Sequence, residues 1–576
     1  MKYIKLFKDL LQLIKYFDSS LKWKLYLVLL ISVVGGVLEM AGVGLVFPII
    51  KIAINDQNDL NLFFFSLDEF SNYSKDNLII ILLIFFILFF LLKNLVLSIF
   101  TYKQYNLLAD VRIFISSTIF KKYIYSNYDY FIENNSSLIT RNLTTVVHNF
   151  NNSVILALSI ILTEIFVLFF LIFLCFYINP FGSIIIFITL FTPAILIYIY
   201  LKPKLKSYGD IIQLDEANRI KKINELIHGI KEIKIFGKDN FFINSYNYSE
   251  YKISKANAKN TFINQSNKYW LELILIFSLS IYIFWDLNNG NSFEKLLPTL
   301  GFYALAAFRV IPSLNRLMNM TQILKFSEPI IKTVRDELHS FNSDINYKKK
   351  KNKIEFKKNI IFKNISYKYP NHKKYTLKNF DLEIIKGKTL GIYGKTGSGK
   401  TTFLNLLLGL INQRDGQILI DDKPVNNRSL GQIISFVPQD NFLIDDSIIK
   451  NIILDNKLSK KTNDRVFKIL KQLKLDSFIN SLKFGVDTII GERGLKLSGG
   501  QKQRITIARA LYFKRDIVIF DEATSSLDYE TEDHIIKTLK LLKKKFTVII
   551  VAHRLNTLNH CDYKYEIKNG NALKRL

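Results

Sequence analysis

Thr389-Leu390-Gly391-Ile392-Tyr393 runs directly into Gly394-Lys395-Thr396-Gly397-Ser398-Gly399-Lys400-Thr401-Thr402, and the apolar pattern Phe403-Leu404-Asn405-Leu406-Leu407-Leu408 follows. The octet 394–401 fits G-x-x-x-x-G-K-[ST]. It sits where that pattern has meaning, between a short apolar strand and a helical segment. Glycines let backbone N–H groups approach phosphate oxygens, and the start of a helix adds positive potential. Lys400 is placed to reach the β- and γ-phosphates of a nucleotide, and the Thr401 hydroxyl to bind Mg2+. A mixed α/β nucleotide-binding domain is therefore expected around residue 400.

Two further runs lie downstream. Residues 516–520 read as an apolar strand that ends in Asp521-Glu522. An acid at a strand end suits Mg2+, and a second acid beside it suits activation of a water. Upstream of it stands Leu497-Ser498-Gly499-Gly500-Gln501. Here the chain resembles the ABC ATPase family, whose signature is LSGGQ, and the resemblance extends over the whole soluble part.

The resemblance implies roles residue by residue. Tyr369 matches the aromatic that stacks on adenine. Lys395, Thr396, Ser398 and Thr402 belong with the three glycines to the phosphate loop. Gln439, in Phe436-Val437-Pro438-Gln439-Asp440, matches the glutamine that senses Mg2+ and the membrane domain. The Mg2+ set implied is Thr401, Gln439 and Asp521. Gly491-Glu492-Arg493-Gly494 matches the acidic segment that exporters place before the signature. Ser525-Ser526-Leu527-Asp528 matches the D-loop, with Ser526 where alanine is commoner. His553 matches the switch histidine near the γ-phosphate, and Glu522 the general base. Ser498, Gly499, Gly500 and Gln501 of one subunit are expected to close over ATP held by Lys400 of the other. The implied assembly is a homodimer with two competent sites, using ATP and Mg2+.

The rest of the chain has a different character. Phe accounts for 47 of its 576 residues, and aromatics for 14%, which suits lipid-facing helices better than a soluble core. A spanning helix needs about 20 mostly apolar residues. Six stretches meet that need, near 23–50, 78–102, 152–178, 181–201, 269–287 and 296–320. The fold class expected is thus multidomain: an all-α six-helix transmembrane domain like that of type I ABC exporters, followed by an α/β P-loop ABC ATPase domain. Residues 1–335 form the first, 336–353 a charged linker, and 354–576 the second. The formal charge of +29 is assigned to the Lys-rich cytoplasmic segments of a membrane protein rather than to nucleic-acid binding. The two cysteines, Cys175 and Cys561, make neither a disulfide framework nor a metal cluster.

Loop charge sets the expected orientation. The N-terminal segment carries Lys2, Lys5, Lys8, Lys15, Lys22 and Lys24 and reads as an amphipathic cytoplasmic helix, not a signal peptide. Residues 202–268 are also Lys-rich, whereas loop 51–77 carries Asp56, Asp59, Asp68, Glu69 and Asp76. Both termini are expected in the cytoplasm, most simply beneath a bacterial plasma membrane. Residues 127–131 and 208–214 resemble the coupling helices of the exporter family.

Charges inside spans are costly and usually functional. Glu39, Lys93, Glu164, Lys268, Arg309 and Arg316 are the instances here. Lys93 and Lys268 admit two roles, one of them simple snorkelling to an interface. Arg309 lies inside an apolar helix before Pro312. Cations in a cavity suit an anionic headgroup, and a diphosphate suits Arg geometry. The sequence around Glu39 and Arg309 also resembles the PglK type of lipid-linked oligosaccharide flippase, as does the apolar patch of loop 51–77. Lys93, Lys268 and Arg309 are the substrate residues this implies, with lysine at two places where that type has arginine. The alternative is export of another lipid, a hydrophobic drug or a peptide.

Overall fold

The computed structural model describes residues 12–46, 61–62, 65–66, 75–289, 293–339, 354–369, 372, 374–522, 546–552 and 555–575. The start of the expected N-terminal helix lies outside these residues. So does most of loop 51–77; its described parts are β1 (Asn61–Leu62) and β2 (Phe65–Ser66), which pair antiparallel, and residues 75–77, which open a long helix. The chain divides into two compact units. One comprises residues 1–126 and 133–347, and the other residues 127–132 and 348–576.

The first unit is helical. Its long helices are α1 (Ser19–Gly44), α2 (Lys75–Tyr125), α3 (Ser136–Ile178), α4 (Pro180–Phe236), α5 (Asp239–Asn288) and α6 (Phe293–Phe326). A shorter helix, α7 (Glu328–His339), follows. The 57 residues of α4 rise about 85 Å at 1.5 Å each, far beyond the roughly 30 Å of a hydrocarbon core. The helix therefore continues well past the apolar stretch 181–201. Helices α1 to α5 are long and apolar enough to cross a membrane. Helix α6 falls short of that measure over its described side chains, because Arg309, Asn315 and Arg316 interrupt the apolar run.

Helix α3 lies against α1 and α6, and Val167, Leu168 and Leu171 meet Leu190, Leu271, Val310 and Leu314 in a buried cluster. Two π turns, Asn142–Val146 and Asn151–Ile155, interrupt α3 near its start. Between α3 and α4 the chain turns at Asn179. Its side chain accepts from Gly182 N at 3.0 Å, capping α4, and donates to the Tyr282 hydroxyl at 3.1 Å. Pro180 follows at the first helical position, where a missing N–H costs nothing.

Residues 208–214 do not form a separate short helix. They lie within α4, which ends only at Gly237 (φ 58°). The reason for a small residue there is close packing: a Cβ at Gly209 would stand 2.1 Å from the Phe326 carbonyl oxygen. The other expected coupling segment does form a short helix, Tyr128–Glu133. Residues 127–132 belong to the second unit, where the Tyr367 hydroxyl donates to Asp129 Oδ1 at 3.2 Å.

The second unit is built on two sheets. Strands β3 (Asn359–Tyr367), β4 (Leu377–Ile385), β6 (Asp415–Ile420) and β7 (Lys423–Pro424) make an antiparallel sheet in the order β4-β3-β6-β7. Strands β5 (Thr389–Tyr393), β8 (Ile434–Val437), β9 (Ile517–Asp521), β10 (Thr547–Val551), β11 (Tyr563–Lys568) and β12 (Asn571–Arg575) make the other, ordered β12-β11-β5-β10-β9-β8. All its pairings are parallel except β11 with β12. Strands β9 and β10 are buried Val and Ile almost throughout, as parallel strands covered on both faces must be.

Candidate functional site

Open parallel sheets bind ligands beyond the carboxyl ends of their strands. At those ends Ile392 of β5 pairs with Val551 of β10, and Val551 pairs with Asp521 of β9. Two strand spacings, about 9–10 Å, thus separate the end of β5 from the end of β9. The phosphate loop leaves β5, and helix α8 (Lys400–Leu407) leaves the loop. Gly399 caps that helix at φ 111°, a left-handed backbone where a side chain would also meet Leu377 at 2.8 Å.

Lys400 is buried, and its Nζ donates to the carbonyls of Gly394 at 2.7 Å and Lys395 at 3.1 Å. Burial lowers its pKa, against the opposing pull of the Glu522 and Asp521 carboxylates. Ser398 Oγ is buried without a hydrogen-bond partner among the described residues. An orphaned hydroxyl in a glycine loop at a helix start fits a phosphate oxygen. Thr402 is buried and its hydroxyl lies 3.2 Å from the Tyr369 hydroxyl. The Tyr369 ring meets Tyr367 edge-on at 5.1 Å and lies 5.8 Å from His372. Thr401 is exposed at the same helix start.

Asp521 closes β9, and Glu522 follows with a left-handed backbone, φ 49°. The Glu522 N–H donates to Val551 O at 2.9 Å, and its Oε2 accepts from Gln439 Nε2 at 2.9 Å. The structure thus brings Lys400, Asp521, Glu522 and Gln439 to one end of the sheet. Asp528 and His553 lie outside the described residues.

The run from Ser498 to Gln501 opens helix α9 (Gly499–Tyr512) with a capping box. Gln501 N donates to Ser498 Oγ at 3.3 Å, and Ser498 N donates to Gln501 Oε1 at 2.9 Å. Ser498 and Gly499 are exposed, Gly500 half-buried, so free N–H groups of the helix start face outward. Further along α9, Arg509 is a residue the sequence reading missed. Its guanidinium donates to Asn451 O at 2.7 Å and Phe442 O at 2.9 Å, and burial lowers its pKa. It fastens the segment after Gln439 to the signature helix. The available signal was an arginine flanked by Ala508 and Ala510 on a mostly apolar helix face.

The charges in the membrane unit divide into separate groups. Glu39 on α1 is buried and takes two partners: Lys93 on α2, at 3.0 Å to Oε2, and Arg309 on α6, through Oε1. Arg316 pairs with the buried Glu164 on α3 at 2.5 Å. Lys268 is exposed and lies 3.8 Å from Glu272, one turn along its own helix. Lys93 and Arg309 therefore come together, and Lys268 is not tied to them. Glu39, a charge the sequence marks inside a span, thus joins two of the expected substrate residues.

A helical membrane unit joined to a P-loop nucleotide unit bearing a signature helix is the class that fold and site define. Residues 25–287 match the family model of the ABC transporter transmembrane region, and residues 377–525 that of the ABC transporter. The chain belongs to the ABC transporter family, with membrane region and ATPase domain fused in that order. A solved structure described as a bacterial Atm1-family ABC exporter with ATP bound superposes with TM-score 0.76 at 21% identity, over 96% of this chain and 95% of that one. The fold is thus that of a type I exporter. Proteins of Staphylococcus aureus strains COL and bovine RF122 named "Putative multidrug export ATP-binding/permease protein" are 40% identical over 225 residues. That match spans 38% of this chain and 39% of those relatives' length.

Proposed function

We propose that the chain is half of an ATP-driven exporter that works as a homodimer and moves an anionic amphiphile, of the lipid-linked oligosaccharide kind, between bilayer leaflets. The observation that carries the ATPase part is the meeting of Lys400, Asp521, Glu522 and Gln439 at the strand ends. Lys400 exchanges its two loop carbonyls for the β- and γ-phosphates. Thr401, Asp521 and Gln439 hold Mg2+, which neutralises phosphate charge when bound. Glu522 takes the proton of the attacking water. Tyr369 stacks on the base, and the Ser498–Gln501 end of α9 covers the γ-phosphate in the partner's site. Asp528 and His553 complete the set by resemblance. The ATPase unit faces the cytoplasm, the side of the Lys-rich segments.

The anionic substrate rests on the buried group around Glu39, where two cations face one carboxylate. A surplus positive charge inside a membrane unit is expensive unless it serves an anion. The names of the Staphylococcus aureus relatives support a second reading, export of a drug-like molecule. Proteoliposomes decide between them. Flipping of a fluorescent polyprenyl-diphosphate oligosaccharide by the wild type, and not by Glu522→Gln, supports the flippase. ATPase stimulated by hydrophobic cations instead, with no lipid flipped, transfers the assignment to the drug class.

A further inference from the structure

We propose that Glu39 is an exchangeable counter-ion: it holds Arg309 in the resting state and yields it to an anionic headgroup while remaining paired with Lys93. This rests on the anionic-substrate reading above and assigns different parts to the two cations.

The two cations on Glu39 are not equivalent. Lys93 is enclosed. Its side chain is 8% exposed, its Nζ lies 4.2 Å from the Phe90 ring centroid, and a Cβ at Gly42 would stand 3.5 Å from it. Arg309 is 33% exposed, and its buried Nε has no hydrogen-bond partner among the described residues. Arg309 therefore has both an unused donor and a way out, whereas Lys93 is enclosed. A guanidinium also matches phosphate oxygens with two parallel bonds, as an ammonium does not.

Charge counting gives the exchange its sense. Were Arg309 the sole partner of Glu39, its departure would strand a carboxylate in the membrane interior, at a cost of several kcal/mol. Lys93 removes that penalty. Glu39 stays neutralised, and Arg309 leaves with its full charge for the incoming anion. Lys93 is thus a positioning residue, and the ligand contact belongs to Arg309.

The test is a double-mutant cycle on the purified full-length protein, with farnesyl diphosphate as probe and farnesol as neutral control, read by intrinsic fluorescence. The wild type should bind the diphosphate and not the alcohol. Glu39→Gln should tighten binding about tenfold, and Lys93→Met should weaken it about tenfold, within the usual range of coupling between sites. In the Glu39→Gln background, Lys93→Met should change nothing, and Arg309→Met should abolish binding in either background. An equal loss from Lys93→Met in both backgrounds would overturn the proposal, because Lys93 would then touch the anion itself. Unchanged or weaker binding by Glu39→Gln overturns it too, and decides the matter even where Lys93→Met does not fold. A wild type that hydrolyses ATP yet binds no diphosphate refutes the anionic-substrate reading, and the counter-ion with it.

Discussion

Glu522 keeps a left-handed backbone at φ 49°, a conformation that costs a non-glycine residue about 1–3 kcal/mol and tends to persist at functional positions. Its carboxylate is held by Gln439, so the proposed base and the proposed sensing glutamine are already in contact. Glu522→Gln keeps that contact and removes the base. Phosphate release should fall by about 10²–10⁴, the worth of a general base, while nucleotide is retained, measurable by filter binding. Lys400 carries a second prediction. Its pKa is lowered by burial, below the ordinary value of about 10.4. Binding of phosphate favours the charged ammonium, so ADP affinity should be level at neutral pH and decline as pH rises through that lowered value. Titration of ADP between neutral and alkaline pH checks the sign. These residues were legible because phosphate chemistry dictates their types and spacing. The partners of Glu39 were not, since Lys93 and Arg309 lie 54 and 270 residues away in sequence and only helix packing joins them.

Helices carry the next level. The crossing of α4 with the end of α6 depends on Gly209, whose missing side chain admits the Phe326 carbonyl. Gly209→Val should lower stability by about 1–3 kcal/mol, as overpacking does, seen as a reduced thermal midpoint in detergent with the nucleotide site intact. No local pattern announced this crossing. The segment 208–214 resembles a coupling helix in sequence, yet it lies inside α4, which runs straight through it. The segment 127–131 was legible, being short, polar and flanked by long helices. Its Asp129 accepts from the Tyr367 hydroxyl. On the coupling role proposed for residues 127–131, Tyr367→Phe should lower transport per ATP hydrolysed, measured as substrate moved against phosphate released.

On the scale of the molecule, the number and order of domains were readable from composition alone, because apolar spans and P-loop chemistry use different residues. Helix α6 was the hardest span to read, since its arginines serve ion pairs and depress its hydropathy. The proposed homodimer makes its own prediction. Lys400→Ala and Ser498→Arg chains should each be inactive alone. Mixed and reassembled, they form hybrid pairs in which one site has both an intact Lys400 and an intact Ser498. Random pairing in a symmetric dimer then restores up to about a quarter of wild-type ATPase activity. No recovery on mixing would mean that each chain completes its own site.

The capping box at Ser498 has a consequence for how such a dimer lets go. Its hydroxyl is engaged within its own helix, accepting from Gln501 N. The same oxygen can still donate its O–H to a phosphate oxygen without breaking the cap, and a typical bond contributes only about 0.5–1.5 kcal/mol net. Closure at this residue is then held by one weak bond on a helix start that stays intact, so the grip loosens as soon as the γ-phosphate departs.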